Sequence, residues 1–269
     1  MLFMEEKFVI TSLQNNKVKR LVALQKKSAE RRKEGVFVVE GRRELQHCLD
    51  AGYEPEMVFC RDDIAVYDSG LGQVTPDRVL YVSKDVYAKM AYRDTTEGVL
   101  AIVREQKLTL ADLKLPANPL IVVLESVEKP GNLGAVLRSA EAAGASAVMV
   151  CDPLTDLYNP NLIRSSIGAI FRVPCVACSS EECIAYLKSS NIQILTAQLQ
   201  DSSLYYNINM CKPTAIVMGT ESTGLTDMWR SAATSHIRIP MLGKLDSLNV
   251  SVSAAILLYE AVRQRQMEG

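Results

Sequence analysis

From Leu120 onward, short apolar runs alternate with helix-length amphipathic segments, and this alternation narrows the possible folds more than any other feature of the chain. The runs are LIVVLES, ASAVMVC, VPCVA, IQILTAQL, TAIVMG and HIRIP. Between them lie predicted helices near Leu133–Ala143, Asn161–Phe171, Ser180–Ser189 and Asp227–Ala233, and a last one spans Ser251–Gln266. Near-continuous apolar strands separated by helices fit a mostly parallel sheet covered on both faces. Such sheets bind their ligands beyond the carboxyl ends of the strands.

Upstream, residues 14–34 read as one basic helix ended by Gly35, and RRELQHCLDA and KDVYAKMA read as further helices. FVVEG at 37–41, EMVFC at 56–60, VLYVS at 79–83 and GVLAIV at 98–103 read as short buried strands. The expected division is a small α/β domain over 1–106, a linker over 107–117 that mixes charges with proline, and a larger α/β domain over 118–269.

A hydrophobic fraction of 48% and a charged fraction of 23% over 269 residues describe an ordinary globular chain. The formal net charge of -1 gives no overall attraction to nucleic acid, so such a partner must be met by a local patch. One is present: residues 15–43 hold ten Lys or Arg against three acids. A solvated helix face accounts for some of this excess, and a phosphate-tracking surface accounts for its size. The candidate RNA contacts are Lys17, Lys26, Lys27, Arg31, Arg32, Arg42 and Arg43.

No charge-free apolar run approaches a membrane span, and the stretch Met1–Ile10 carries no secretory pattern, so a cytoplasmic location is expected. Seven cysteines, an odd number, fit reduced core thiols better than a disulfide framework. Cys175 and Cys178 form a CxxC with Cys183 nearby, yet no second ligand pair accompanies them, and no metal site is expected. His47 and His236 are isolated and read as structural.

Three segments of the larger domain share one design, an apolar strand, a polar glycine-containing turn and a helix. They are ESVEKPGNLGAVLRSAEAAG at 125–144, IVMGTESTGLTDMW at 216–229 and IPMLGKLDSLNVSVSAA at 239–255. None is a G-x-G-x-x-G dinucleotide fingerprint, and no Walker A pattern is present, which argues against NAD and P-loop chemistry. Asn132 stands at the start of a predicted helix that also carries Arg138, a place where backbone N–H groups favour an anion. Taken singly, Asn132, Glu221, Ser247 and Asn249 all read equally well as helix caps or solvated polar residues. Their joint occurrence in three matching turns favours a common site.

These segments resemble the three ordered motifs of the SpoU (TrmH) family of RNA ribose 2'-O-methyltransferases. The resemblance rests on Asn132 through Ala140, Met218 through Leu225, and Ile239-Pro240-Met241 through Ser247-Leu248-Asn249-Val250-Ser251-Val252, and spans residues 118–266. It implies an α/β fold with a parallel-sheet catalytic domain, a C-terminal trefoil knot and a cofactor, S-adenosylmethionine, held by Gly219, Glu221, Ile239, Met241, Ser247, Leu248 and Asn249. It further implies catalytic roles for Asn132, Arg138, Glu221 and Asn249, and a homodimer formed through the knotted domain. The run from Arg32-Lys33 to Gly41 is similar to the early signature of an L30e-like substrate-binding domain. Together these imply methylation of 23S ribosomal RNA, with transfer RNA or a non-catalytic RNA-binding, ribosome-assembly role as alternatives. Arg138 is implicated either in stabilising the developing alkoxide or in removing its proton. Two departures from the family pattern, Ser222 after Glu221 and Ser253 in the last helix, leave every named site residue in place.

Overall fold

The computed structural model describes residues 8–64, 72–92, 97–220, 222–244 and 247–267. The chain forms two compact units, Met1–Gln106 with Tyr158–Phe171, and Lys107–Leu157 with Arg172–Gly269. Among the described residues, no helix is long and apolar enough to cross a membrane.

The N-terminal part of the first unit runs β1 (Val9–Ile10), α1 (Asn16–Lys26), α2 (Ser28–Glu34), β2 (Val36–Glu40), α3 (Arg42–Asp50), β3 (Pro55–Arg61), β4 (Val79–Val82), α4 (Lys84–Met90) and β5 (Val99–Arg104). Its five strands form a mixed sheet in the order β1-β4-β3-β5-β2. Strand β5 runs antiparallel to both β3 and β2, whereas β4 is parallel to β1 and β3. Val18, Leu21 and Leu24 of α1 pack with Val38, Phe59, Leu100 and Ile102 of the sheet in one apolar core.

The single basic helix expected over 14–34 is two helices. Lys27 adopts an extended conformation between them, with φ -119° and ψ 110°. The last carbonyls of α1 are taken up by a side chain instead of a continuing helix: Arg31 Nη1 donates to Leu24 O at 2.6 Å and to Gln25 O at 3.2 Å. A cation at these carbonyls also complements the helix dipole.

The remainder of the chain runs β6 (Leu120–Glu125), α5 (Pro130–Ala142), β7 (Ala147–Cys151), α6 (Pro160–Ser165), β8 (Cys175–Cys178), α7 (Ser180–Ser189), β9 (Gln193–Ala197), β10 (Ser203–Leu204), β11 (Thr214–Met218), α8 (Asp227–Ala232), β12 (Ser235–Arg238) and α9 (Val250–Met267). Seven of these strands form a sheet in the order β10-β12-β9-β11-β6-β7-β8, and every pairing in it is parallel. The central strands β6, β7 and β11 are buried along their whole length, as a sheet covered on both faces requires. A capping box starts α7, with Ser179 Oγ accepting from Glu182 N at 3.1 Å and Glu182 Oε2 accepting from Ser179 N at 2.9 Å.

Three details differ from the sequence-based expectation. The helix expected over Asn161–Phe171 stops at Ser165 and resumes as a 3-10 turn at Ala169–Phe171, because Ile167 and Gly168 take positive φ values of 54° and 81°. That segment groups with the first unit, where Phe37 stacks on Tyr158 at 4.4 Å and on Phe171 at 5.8 Å. The Tyr158 hydroxyl donates to Gln106 O at 2.7 Å. Finally, the segment 107–117, expected as the linker, carries local structure: Thr109 and Asp112 form a capping box on a 3-10 turn, and Leu110, Leu113 and Leu115 pack against the core of the second unit.

Candidate functional site

Strands β12, β9 and β11 lie side by side, so their carboxyl ends open onto a common space. There, a cavity of about 370 Å³ is lined by Ala197 and Gln198 at the end of β9, Gly219 and Thr220 after β11, and Arg238 and Ile239 at the end of β12. Met241, Ser247, Leu248 and Val250 complete the wall from the loop that leads into α9. The volume falls in the range of small-molecule sites. A second, smaller cavity of about 150 Å³ lies beyond β6, lined by Val127, Glu128, Lys129 and Asn132. Gly219, Thr220, Ser222 and Val250 line both cavities.

The partition between them is a closed turn. Gly224 N donates to Thr220 O at 3.1 Å, and Thr223 N donates to the Thr220 hydroxyl at 3.0 Å. Gly224 has φ +68°, a left-handed conformation that suits glycine. Gly219 is needed for a different reason: a Cβ there would collide with the backbone of Gly224 and Leu225. The turn is anchored from beneath by Glu125, buried at the end of β6. Its Oε2 accepts from Thr226 N at 2.9 Å and its Oε1 from the Thr226 hydroxyl at 2.7 Å.

Asn249 ends the third loop and does two things. Its Oδ1 accepts from Ser251 N at 3.0 Å and from Ser251 Oγ at 2.6 Å, which caps α9. Its Nδ2 donates to Asn132 Oδ1 at 3.2 Å. Residues 117 positions apart thus meet through one amide pair, joining the start of α5 to the start of α9. The cap and the site role are compatible, because they use opposite ends of the same amide.

The sequence-derived candidates separate cleanly. Gly219, Ile239, Met241, Ser247 and Leu248 converge on the larger cavity, Asn132 lines the smaller one, and Asn249 holds Asn132. Glu221 lies outside the described residues. Arg138 lines neither cavity; it stands exposed on α5. Within the basic segment, Lys17, Lys26, Lys27, Arg32 and Arg43 are exposed and Arg42 is half-buried. Arg31 is a correction: at 4% exposure, with its guanidinium on the carbonyls of Leu24 and Gln25, it is a helix-terminating residue and is not available to a phosphate.

Among the wall residues not singled out from the sequence, three bring chemistry of their own. Arg230 and Arg238 bring positive charge to the larger cavity, and Gln198 brings an amide. Gln198 Oε1 is buried and has no hydrogen-bond partner among the described residues, while its Nε2 donates to Gln200 O at 3.0 Å. An unsatisfied buried acceptor is costly, so a donor supplied by a bound molecule would be stabilising. These features suit a ligand with an amino group, a carboxylate and an apolar or aromatic portion, the last against Leu225, Ile237, Ile239 and Leu248. S-adenosylmethionine has all three. No local signal distinguishes Gln198, Arg230 or Arg238 in the sequence, since they come from the end of β9, from α8 and from the end of β12 and meet only in the folded chain.

Residues 119–259 match the SpoU rRNA Methylase family, and residues 15–101 match an MRM3-like substrate binding domain. A 23S rRNA guanosine 2'-O-methyltransferase of Bacillus subtilis is 26% identical over 93% of this chain and 97% of its own length. A solved RNA 2'-O ribose methyltransferase is 39% identical, with a TM-score of 0.84 over 96% of this chain and 100% of that one. An AdoMet-bound rRNA methyltransferase from Sinorhizobium meliloti is 29% identical, with a TM-score of 0.87 over 96% of this chain and 98% of that one. With more than half its length matched to the family and the motif residues gathered at the strand ends, this chain belongs to the SpoU rRNA methylase family.

Proposed function

We propose that this chain, an S-adenosylmethionine-dependent RNA ribose 2'-O-methyltransferase, acts on 23S ribosomal RNA. The reading rests above all on the convergence of Gly219, Ile239, Met241, Ser247 and Leu248 on one cavity beside the Asn132–Asn249 pair. The ribosomal substrate is supported by the substrate-binding-domain match over 15–101 and by the likeness to the Bacillus subtilis enzyme over nearly the whole chain. In this reading residues 1–106 engage RNA, 107–117 join the domains and 118–269 carry out transfer in the cytoplasm.

S-adenosylmethionine supplies a methyl group on a sulfonium, already activated for displacement by a ribose 2'-hydroxyl. The protein's part is alignment and control of one proton and its charge. Gly219 and the loop 239–248 hold the cofactor, with Ser247 and Gln198 offering polar contacts and Ile239, Met241 and Leu248 an apolar wall. Asn249 fixes the Asn132 amide at the smaller cavity, where the ribose enters. Arg138 stands exposed on α5, and a guanidinium, a cation with five N–H donors, suits grip on the phosphate beside the target ribose and stabilisation of the developing alkoxide. Glu221 shares in orienting these groups.

The same reading takes the loop before α9 through a trefoil knot and pairs two copies across α9. Val252, Tyr259 and Met267 are 46%, 51% and 75% exposed on one stripe of that helix. Sedimentation of a monomer at micromolar concentration with cofactor present would remove the dimer from the proposal.

The test is methyl transfer from labelled cofactor to the host's undermethylated ribosomal RNA. Incorporation well above that of Arg138→Ala is expected in 23S RNA. Incorporation into transfer RNA alone would move the substrate, and full complementation of a deletion strain by Arg138→Ala would favour a non-catalytic assembly role.

A further inference from the structure

Cys151, Cys178 and Cys183 come from three different elements, the ends of β7 and β8 and the first turns of α7, yet their sulfurs all lie within 4.8 Å of one another. Cys151 Sγ and Cys178 Sγ are 4.0 Å apart. Cys183 Sγ is 3.4 Å from the thioether of Met149, which shares a face of β7 with Cys151. The partner of Cys178 is therefore not Cys175, as the CxxC spacing had invited, but two residues that only the sheet register and the α7 start bring near. None of the four lines either cavity of the candidate functional site.

Core packing alone does not call for this convergence, because any small apolar residue fills such a space as well as a thiol. The spacing does fit an ion. Three sulfurs bonded at about 2.3 Å in a trigonal plane stand about 4.0 Å apart, and in a tetrahedron about 3.8 Å.

The surrounding frame holds the ligand positions still. Asp152, next to Cys151, accepts from Ser180 N at 3.2 Å and from Ser180 Oγ at 2.6 Å, and Trp229 Nε1 donates to the same Ser180 Oγ at 2.9 Å. Cys151 and Cys183 are buried, while Cys178 is half-buried and gives the cluster its outlet.

We infer that Cys151, Cys178 and Cys183 form a binding site for a single thiophilic d10 cation, with Met149 at hand as a fourth soft donor. Thiolate and thioether ligands select copper(I) and zinc(II) over harder ions. Each ligating thiol loses its proton to solvent as the ion enters, so uptake releases up to three protons and strengthens as pH rises. No electron transfer is involved.

The experiment uses the full chain, reduced and freed of metal. Copper(I), added as its acetonitrile complex against a chromophoric chelator, and zinc(II), added separately, are the probes. One equivalent of either ion is expected to bind, with thiolate-to-copper charge-transfer absorption in the near ultraviolet. Loss of an outer-sphere contact already weakens metal sites by about 10- to 100-fold, so Cys178→Ser should weaken binding by about 100-fold or more. Cys178 is the ligand to change first, since its partial exposure spares the fold. Cys175→Ser should bind as the parent does. Equal binding by the parent and Cys178→Ser, or none by either, would overturn the site. So would a Cys151–Cys178 disulfide on air oxidation in a chain whose reduced form takes up neither ion.

Discussion

The two units carry opposite kinds of functional surface. In the second, a wholly parallel sheet gathers loop residues at the carboxyl ends of β12, β9 and β11, and the candidate site is a cavity where small residues such as Gly219 and Ser247 stand beside an apolar wall of Ile239, Met241 and Leu248. In the first, the sheet is mixed, and the features suited to RNA are exposed cations on α1 and α2. The contrast shows which sequence signals survive folding. A glycine required by a close backbone approach has one structural meaning, as Gly219 has, whereas neighbouring cations diverge: Arg31 ends α1 from within while Lys26, Lys27 and Arg32 stay outside.

The sharpest way to break that comparison is to move catalysis off the cavity. Arg138→Ala should lower kcat by about 100-fold or more, the usual cost of losing a donor to developing negative charge, while calorimetry finds cofactor affinity unchanged because Arg138 lines neither cavity. A parallel loss of cofactor binding would show that Arg138 works inside the pocket. Next in size, Gly219→Ala should destabilise the second unit by about 1–3 kcal/mol through the forced clash with Gly224, and weaken cofactor binding with it. Thermal unfolding with and without cofactor reads both effects.

The cations of the first unit sharpen the comparison from the other side. Arg31→Ala should cost about 1–3 kcal/mol, because it strips a buried charge-assisted bond from the end of α1, and should leave the salt dependence of RNA binding as it was. Joint neutralisation of Lys26, Lys27 and Arg32 should do the reverse. It should leave stability within about 0.5 kcal/mol and flatten the slope of log K against log salt by about 2 to 3. Identical slopes in both variants would mean that α1 and α2 only face solvent.

The smallest expected effect is on acid stability. The Glu56 carboxyl is held below the ordinary carboxylate range chiefly by its hydrogen bond with Arg20, at 2.7 Å, against a desolvation cost. Its folded pKa being depressed, the contribution is present above the ordinary carboxylate value and fades as pH falls through the folded value. Both side chains are about 30% exposed, so the contribution stays below about 1 kcal/mol. Glu56→Gln should therefore lower Tm slightly at neutral pH and converge with the parent in strong acid. A difference that persists in acid would assign the effect to packing.

Much was legible without coordinates. The alternation after Leu120 identifies a parallel sheet because burial on both faces demands unbroken apolar strands, and α7 begins at the predicted residue because Ser179 and Glu182 cap its start. Gly219, Ile239, Met241, Ser247 and Leu248 were recognisable because their motifs keep local order in the chain. Other features depend on strand order and chain crossing. These include Gln198, Arg230 and Arg238 on the cavity wall, Glu125 under the turn and the joining of Tyr158 and Phe171 to Phe37. The sequence by itself determined the element types and the loop chemistry, since both follow from periodicity, capping and backbone freedom over a few residues. Only the tertiary structure decided which of these residues share a cavity, a core or a cluster of thiols, because distance in space is set by sheet order and register, over separations that no local pattern records.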